Sequence, residues 1–88
     1  MTKKEQIEIK YLEDLASVFW NVLLKMDILD GHHKNYDPLT IEKVKGGYML
    51  HSYIFDYEDG GRHRFKKTLK EARTWLMDSF IQNLNQNE

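Results

Sequence analysis

The residues that most constrain this chain lie between Lys4 and Asp30. Ile9, Leu12, Leu15, Ala16, Phe19, Val22, Leu23, Met26 and Leu29 recur at steps of three and four, which gathers them on one face of a helix. Glu13, Asp14, Ser17, Asn21 and Lys25 fall opposite. The spacing therefore predicts one amphipathic helix over 4–30 whose apolar stripe needs a second layer to cover it. Gly31 stands where a left-handed cap commonly ends such a helix. Trp20 sits at the edge of the stripe and Leu24 and Ile28 outside it, so the C-terminal half is apolar over a wider arc than one core contact requires.

A chain of 88 residues has room for a single two-layer core, so the residues after the helix must supply the other layer. GHHKNYDP, residues 31–38, reads as a polar loop ending at the only proline. Residues 39–45 read as a strand, and Gly46-Gly47 suits a tight hairpin in which both residues take positive φ. YMLHSYIFDY over 48–57 is the second strand, EDGG over 58–61 the next turn, and 62–67 the third strand. Thr68 followed by Glu71 matches a capping box at a helix start. Leu69, Ala72, Leu76, Phe80 and Leu84 form the stripe of a last helix over 69–84, and 85–88 is a polar tail. The expected fold is α+β: one domain over 1–88 with the order helix, three-stranded antiparallel meander, helix, packed as a two-layer sandwich.

The second strand is apolar on both faces, and pairing it through its turns divides it. A two-residue turn at Gly46-Gly47 sets Ile41 opposite Ser52; a four-residue EDGG loop sets Phe55 opposite Arg64 and Ile54 opposite Phe65. One face then holds Leu39, Ile41, Tyr48, Leu50, Ile54 and Phe65 as core. The other holds Val44, Met49, His51, Tyr53, Phe55, Tyr57, Arg62, Arg64 and Lys66, aromatic down the middle strand and basic down the third. Arg and Lys beside Tyr and Phe stack and make cation–π contacts of about 0.5–2 kcal/mol each, which suits a partner's acidic and aromatic groups or nucleic-acid bases. The alternative is that Arg and Lys stems cover the rings, or that one helix lies on each side of the sheet and the aromatics are core. Trp20, Leu24 and Ile28 on the first helix, and Trp75, Met77 and Ile81 on the last, form off-stripe ridges. They are contact surfaces if exposed and core if the helices lean together.

Thirteen basic against fourteen acidic residues leave a net charge of -1, which argues against holding nucleic acid by bulk electrostatics. The absence of cysteine excludes disulfides and thiolate metal sites and favours a reducing, cytoplasmic setting. MTKKEQIEIK carries charge without a following apolar run, so neither a signal peptide nor a membrane anchor is expected. His32 and His33 with Asp37, His51 or His63 are the metal candidates, but adjacent loop histidines lack a ligand spacing, so no metal site is expected. Asp56 beside His63 can orient an imidazole, yet no nucleophile accompanies it and no glycine-rich phosphate loop is present. The expectation is a non-enzyme without cofactor.

The order helix, three strands, helix resembles the double-stranded RNA-binding domain, and KKTLKEA at 66–72 is similar to that family's entry into its last helix. The Gly46-Gly47 hairpin departs from the family in lacking a longer histidine-bearing loop, and Trp75 replaces small residues. This resemblance implies an RNA- or DNA-binding module. The same plan, with short, cysteine-free, Lys/Glu/Asn-rich composition, resembles small accessory proteins of phages and mobile elements, including some type II anti-CRISPR proteins. That resemblance, of size and architecture, implies an inhibitor acting on a larger assembly. The leading expectation is a non-enzymatic protein-interaction module, an inhibitor or regulator. Its partner would meet His51, Tyr53, Phe55, Tyr57, Arg62, Arg64 and Lys66, or Trp20 and Leu24. Nucleic-acid binding and a homodimeric structural role are the alternatives; no membrane partner is expected.

Overall fold

The computed structural model of the chain describes residues 1–26, 38–52 and 63–85. Helix α1 spans Lys3–Lys25, strand β1 Thr40–Val44, β2 Gly47–His51, β3 His63–Lys66, and helix α2 Leu69–Asn85. The strands form one antiparallel sheet in the order β1-β2-β3. The order helix, three-stranded meander, helix is the expected α+β one. Gly31, the EDGG turn and residues 86–88 of the expected tail lie outside the described residues, and Asn85, expected to begin that tail, is the last residue of α2.

α1 begins on a capping box of its own. Thr2 Oγ1 accepts from the Glu5 amide, and Glu5 Oε1 accepts from the Thr2 amide, both at 3.1 Å. The helix closes at Met26, short of Asp30. At α2 the Thr68 hydroxyl accepts from the Glu71 amide as expected, but Glu71 reaches back to the Lys67 amide, one residue before the cap.

Ile9, Leu12, Ala16, Trp20 and Leu23 of α1, Leu69, Ala72 and Leu76 of α2, and Leu39, Ile41, Tyr48 and Leu50 of the sheet form one buried cluster. The four sheet residues share a face, and the alternate residues Thr40 and Glu42 are exposed. Both helices therefore cover the same side of the sheet, which removes the arrangement with one helix on each face. Phe19 of α1 stacks on Phe80 of α2, with centroids 4.1 Å apart and planes 8° from parallel.

The two strand pairings depart from expectation in different ways. β1 and β2 are joined through Lys45 and Gly46, because Val44 pairs with Gly47; Gly46 alone of the described glycines takes positive φ, at 84°. The loop has moved by one residue, which changes each pair by two, so Ile41 lies opposite Leu50 and every side chain keeps its face. β2 and β3 differ by an odd step. Tyr48 pairs with Lys66, Met49 with Phe65 and Leu50 with Arg64, so β3 is turned over. Phe65, expected in the core, is 45% exposed on the open face. Arg64 and Lys66, expected there, are half-buried on the helix-facing side. Being on an edge strand, they lie at the rim of the core, where Arg and Lys stems can line apolar surface; the Arg64 Nε is itself buried.

Gly47 explains part of this pairing. A Cβ there would stand 2.5 Å from the Lys66 carbonyl oxygen and 2.8 Å from the Phe65 ring, so Phe65 closes over a position that only glycine leaves free. The opposite edge is also managed. Glu13 of α1 accepts the outward-pointing Ile41 amide at 3.0 Å, which occupies a donor that edge strand β1 would otherwise present to another chain.

Candidate functional site

The residues expected to form one aromatic and basic row are divided by the observed register. His51 is half-exposed on the open face, where its Nε2 lies 3.3 Å from Glu42 Oε2. Arg64 and Lys66 are on the other side of the sheet. Tyr53, Phe55, Tyr57 and Arg62 lie outside the described residues, as do His32, His33, Asp37 and Asp56. The open face that is described consists of Thr40, Glu42, Val44, Met49, His51 and Phe65, and its exposed large apolar side chain is Phe65.

The alternatives left for the helical ridges are resolved residue by residue. Trp20 is 4% exposed and belongs to the core, so it offers no contact surface; Leu24 and Trp75 are half-buried against the same core. The core stripe of α1 runs Ile9, Leu12, Ala16, Trp20, Leu23, rotated toward Trp20 from the arc read in the sequence. That rotation turns Val22 and Met26 outward.

It also leaves a second apolar stripe on α1. Ile7 is 61% exposed, Tyr11 53% and Val18 55%, and Val22 adjoins them. Their spacings of four, seven and four residues place them within about 60° of one another, on the side of α1 away from the core. Phe19 and half-buried Leu15 lie between this stripe and the core, and Phe19 meets Phe80. On α2 the exposed Met77 and Ile81 lie beyond Phe80 on the same outward side. The outer surface of the helical layer thus carries exposed apolar side chains on both helices, Tyr11, Val18 and Val22 on α1 and Met77 and Ile81 on α2, with Lys4 and Lys25 on the same side of α1. Toward the helix starts it opens into a groove of about 370 Å³ lined by Glu8, Tyr11, Leu12, Leu69, Lys70 and Arg73. The spacing that defines this stripe was visible in the sequence, but nothing local distinguishes it from the margin of a wide core stripe.

The strongest electrostatic feature lies where α1 meets the sheet. The Tyr48 hydroxyl donates to Glu5 Oε2 at 2.5 Å, and Lys43 Nζ reaches the same oxygen at 2.9 Å while lying 4.4 Å from the centroid of the Tyr48 ring. The Tyr48 hydrogen bond first, then Lys43 and the Thr2 cap, hold the Glu5 carboxyl well below the usual carboxylate range. Glu5 in turn raises the Tyr48 hydroxyl and the Lys43 ammonium. One carboxylate therefore caps α1 and fixes it to the hairpin. Among the described residues, no group of three or more His, Asp or Glu stands close enough to hold a metal ion. No described helix is long and apolar enough to cross a membrane.

Comparison with known proteins found no matching family model, no matching curated protein and no matching solved structure.

Proposed function

We propose that the chain is a non-enzymatic protein-interaction module, an inhibitor or regulator of a larger assembly, and that it engages its partner through the outer face of the helical pair. The exposed stripe Ile7, Tyr11, Val18 and Val22 carries this reading. A surface helix ordinarily presents polar residues on the side opposite its core stripe. α1 instead presents a second apolar row, continued by Met77 and Ile81 across the Phe19–Phe80 contact. Contiguous exposed apolar surface with an aromatic anchor is characteristic of protein interfaces. Covering it returns about 25 cal/mol for each Å² removed from water. Tyr11 is the anchor, with a ring that packs and a hydroxyl that stays hydrogen-bonded at a wet rim.

The test uses wild type and a Tyr11→Ser/Val18→Ser double variant as baits in cells of the source organism, with melting curves to establish that both are folded. A protein retained in stoichiometric amount by wild type and lost by the variant is the expected result. Equal retention by the variant, or no retained protein with wild type, overturns the reading.

A further inference from the structure

Both helices begin at the same end of the molecule, beside the β1–β2 hairpin, and this end is basic. A cleft of about 470 Å³ there is lined by Lys4, Lys43, Lys67 and Lys70 together with Glu5 and Glu8. Lys3, Lys45 and Lys66 adjoin it in the chain. Seven of the 13 Lys and Arg residues of a chain with net charge -1 therefore gather at this end (Lys3, Lys4, Lys43, Lys45, Lys66, Lys67, Lys70). The charges lining the cleft do not cancel. Glu5 is matched by Lys43 at 2.9 Å, and Lys4, Lys67 and Lys70 form no ion pair among the described residues, so the lining carries Lys4, Lys43, Lys67 and Lys70 against Glu5 and Glu8, with the Glu71 carboxylate beside it on the Lys67 amide.

We propose that this cleft binds a phosphate-class anion, with Lys4, Lys67 and Lys70 as its cationic ligands and the Glu5–Tyr48–Lys43 contact as its fixed wall. The volume falls in the range of small-ligand sites, which is about 300–1,000 Å³. Its cations are ammonium point charges and no arginine lines it. That set suits a multiply charged phosphate better than a planar carboxylate, for which a guanidinium fork is the matching donor. The first-turn amides of Lys4 and Lys70 have no acceptor within their own helices and add donors to the lysines. The cleft shares Glu8, Leu69 and Lys70 with the groove toward the helix starts but no residue with the stripe Ile7, Tyr11, Val18 and Val22, so loss of the protein contact in a Tyr11→Ser/Val18→Ser variant and loss of anion binding in a Lys67→Ala/Lys70→Ala variant are separate results.

The experiment is a titration of the full ¹⁵N-labelled chain with pyrophosphate at low ionic strength, read by amide shifts. Parallel titrations use a short RNA duplex, a single-stranded DNA oligonucleotide and poly-glutamate. Saturable shifts at Lys4, Gly46, Thr68 and Lys70 are expected, weakening with added salt. A Lys67→Ala/Lys70→Ala variant, altered only at exposed side chains, is expected to bind pyrophosphate about tenfold more weakly. If pyrophosphate binds and the oligonucleotides bind no more tightly, the ligand is a free phosphate compound. If an oligonucleotide displaces pyrophosphate, the phosphates are those of a nucleic-acid backbone. The proposal is overturned if no phosphate probe gives saturable shifts, if the double variant binds pyrophosphate as wild type does, or if poly-glutamate moves the same amides at equal affinity.

Discussion

Replacing Gly47 with alanine tests the register that determines which face of the sheet Arg64, Phe65 and Lys66 occupy. The new Cβ would lie 2.5 Å from the Lys66 carbonyl oxygen and 2.8 and 2.9 Å from two carbons of the Phe65 ring. The ring can swing aside, but the carbonyl belongs to β3 and moves only if the β2–β3 ladder opens. Overpacking of this kind costs about 1–3 kcal/mol, and contact with backbone places Gly47→Ala in the upper half. For a domain of this size each kcal/mol lowers Tm by roughly 4–8 °C, so a fall of roughly 10–20 °C is expected. Gly46 provides the control, because a Cβ there meets nothing within 4 Å and the cost arises only from its φ of 84°. Gly46→Ala should cost about 1–2 kcal/mol and Gly46→Asn less, since asparagine tolerates the left-handed region. At Gly47 asparagine should be no better than alanine. Thermal and urea unfolding followed by circular dichroism measure all four variants. A Gly47→Ala protein as stable as wild type would mean that β3 does not pass over Gly47, and the assignment of Arg64 and Lys66 to the helix-facing side would fall with it.

Other contacts give sharper local tests. Glu13→Ala leaves the Ile41 amide at the β1 edge without its 3.0 Å acceptor, which should cost about 1 kcal/mol and promote self-association in sedimentation velocity; Glu13→Gln should do neither. A double-mutant cycle on Phe19→Ala and Phe80→Ala should give a coupling of about 0.5–1.5 kcal/mol, and a coupling near zero would deny the stacked contact between the helices. Glu5 has its pKa lowered by folding, so its contribution is complete above the ordinary carboxylate pKa of about 4.3 and is lost as pH falls through the acid range. Lys43 and Tyr48 have raised values, so their contribution is complete below about pH 10 and declines above it. Urea midpoints across pH should therefore show a steeper acid limb for wild type than for Glu5→Gln, and parallel limbs would remove Glu5 from that role.

The element order and the centre of each helix stripe were legible because three- and four-residue recurrence is local, while Val22 and Met26 at the margin of the α1 stripe are exposed. The faces of β1 and β2 were legible for a similar reason: moving the hairpin loop from Gly46-Gly47 to Lys45-Gly46 alters the pairing by two residues and preserves alternation. The β2–β3 register was not legible. His51 pairs with His63, so residues 52–62 lie between the paired ends, and their number is unrelated to where EDGG signals a turn. The odd offset that followed moved Phe65, Arg64 and Lys66 together. Trp20 failed for another reason. The rotation of α1 about its axis is set by where the sheet lies, visible in the Glu13 contact to Ile41 and the Glu5 contact to Tyr48, and no helical wheel contains that direction. The same rotation exposed the row of Ile7, Tyr11, Val18 and Val22, on which the functional reading rests.

A photo-reactive amino acid placed at Val18 on the helical face, and separately at Thr40 on the open sheet face, tests that reading most directly in cells of the source organism. A discrete cross-linked partner of different mass is expected at position 18 and none at position 40. An adduct at 40 with none at 18 would place the interface on the sheet, and an adduct at 18 with the mass of two copies of this chain would make the stripe a homodimer contact; either rules out the helical face as the site of a heterologous partner.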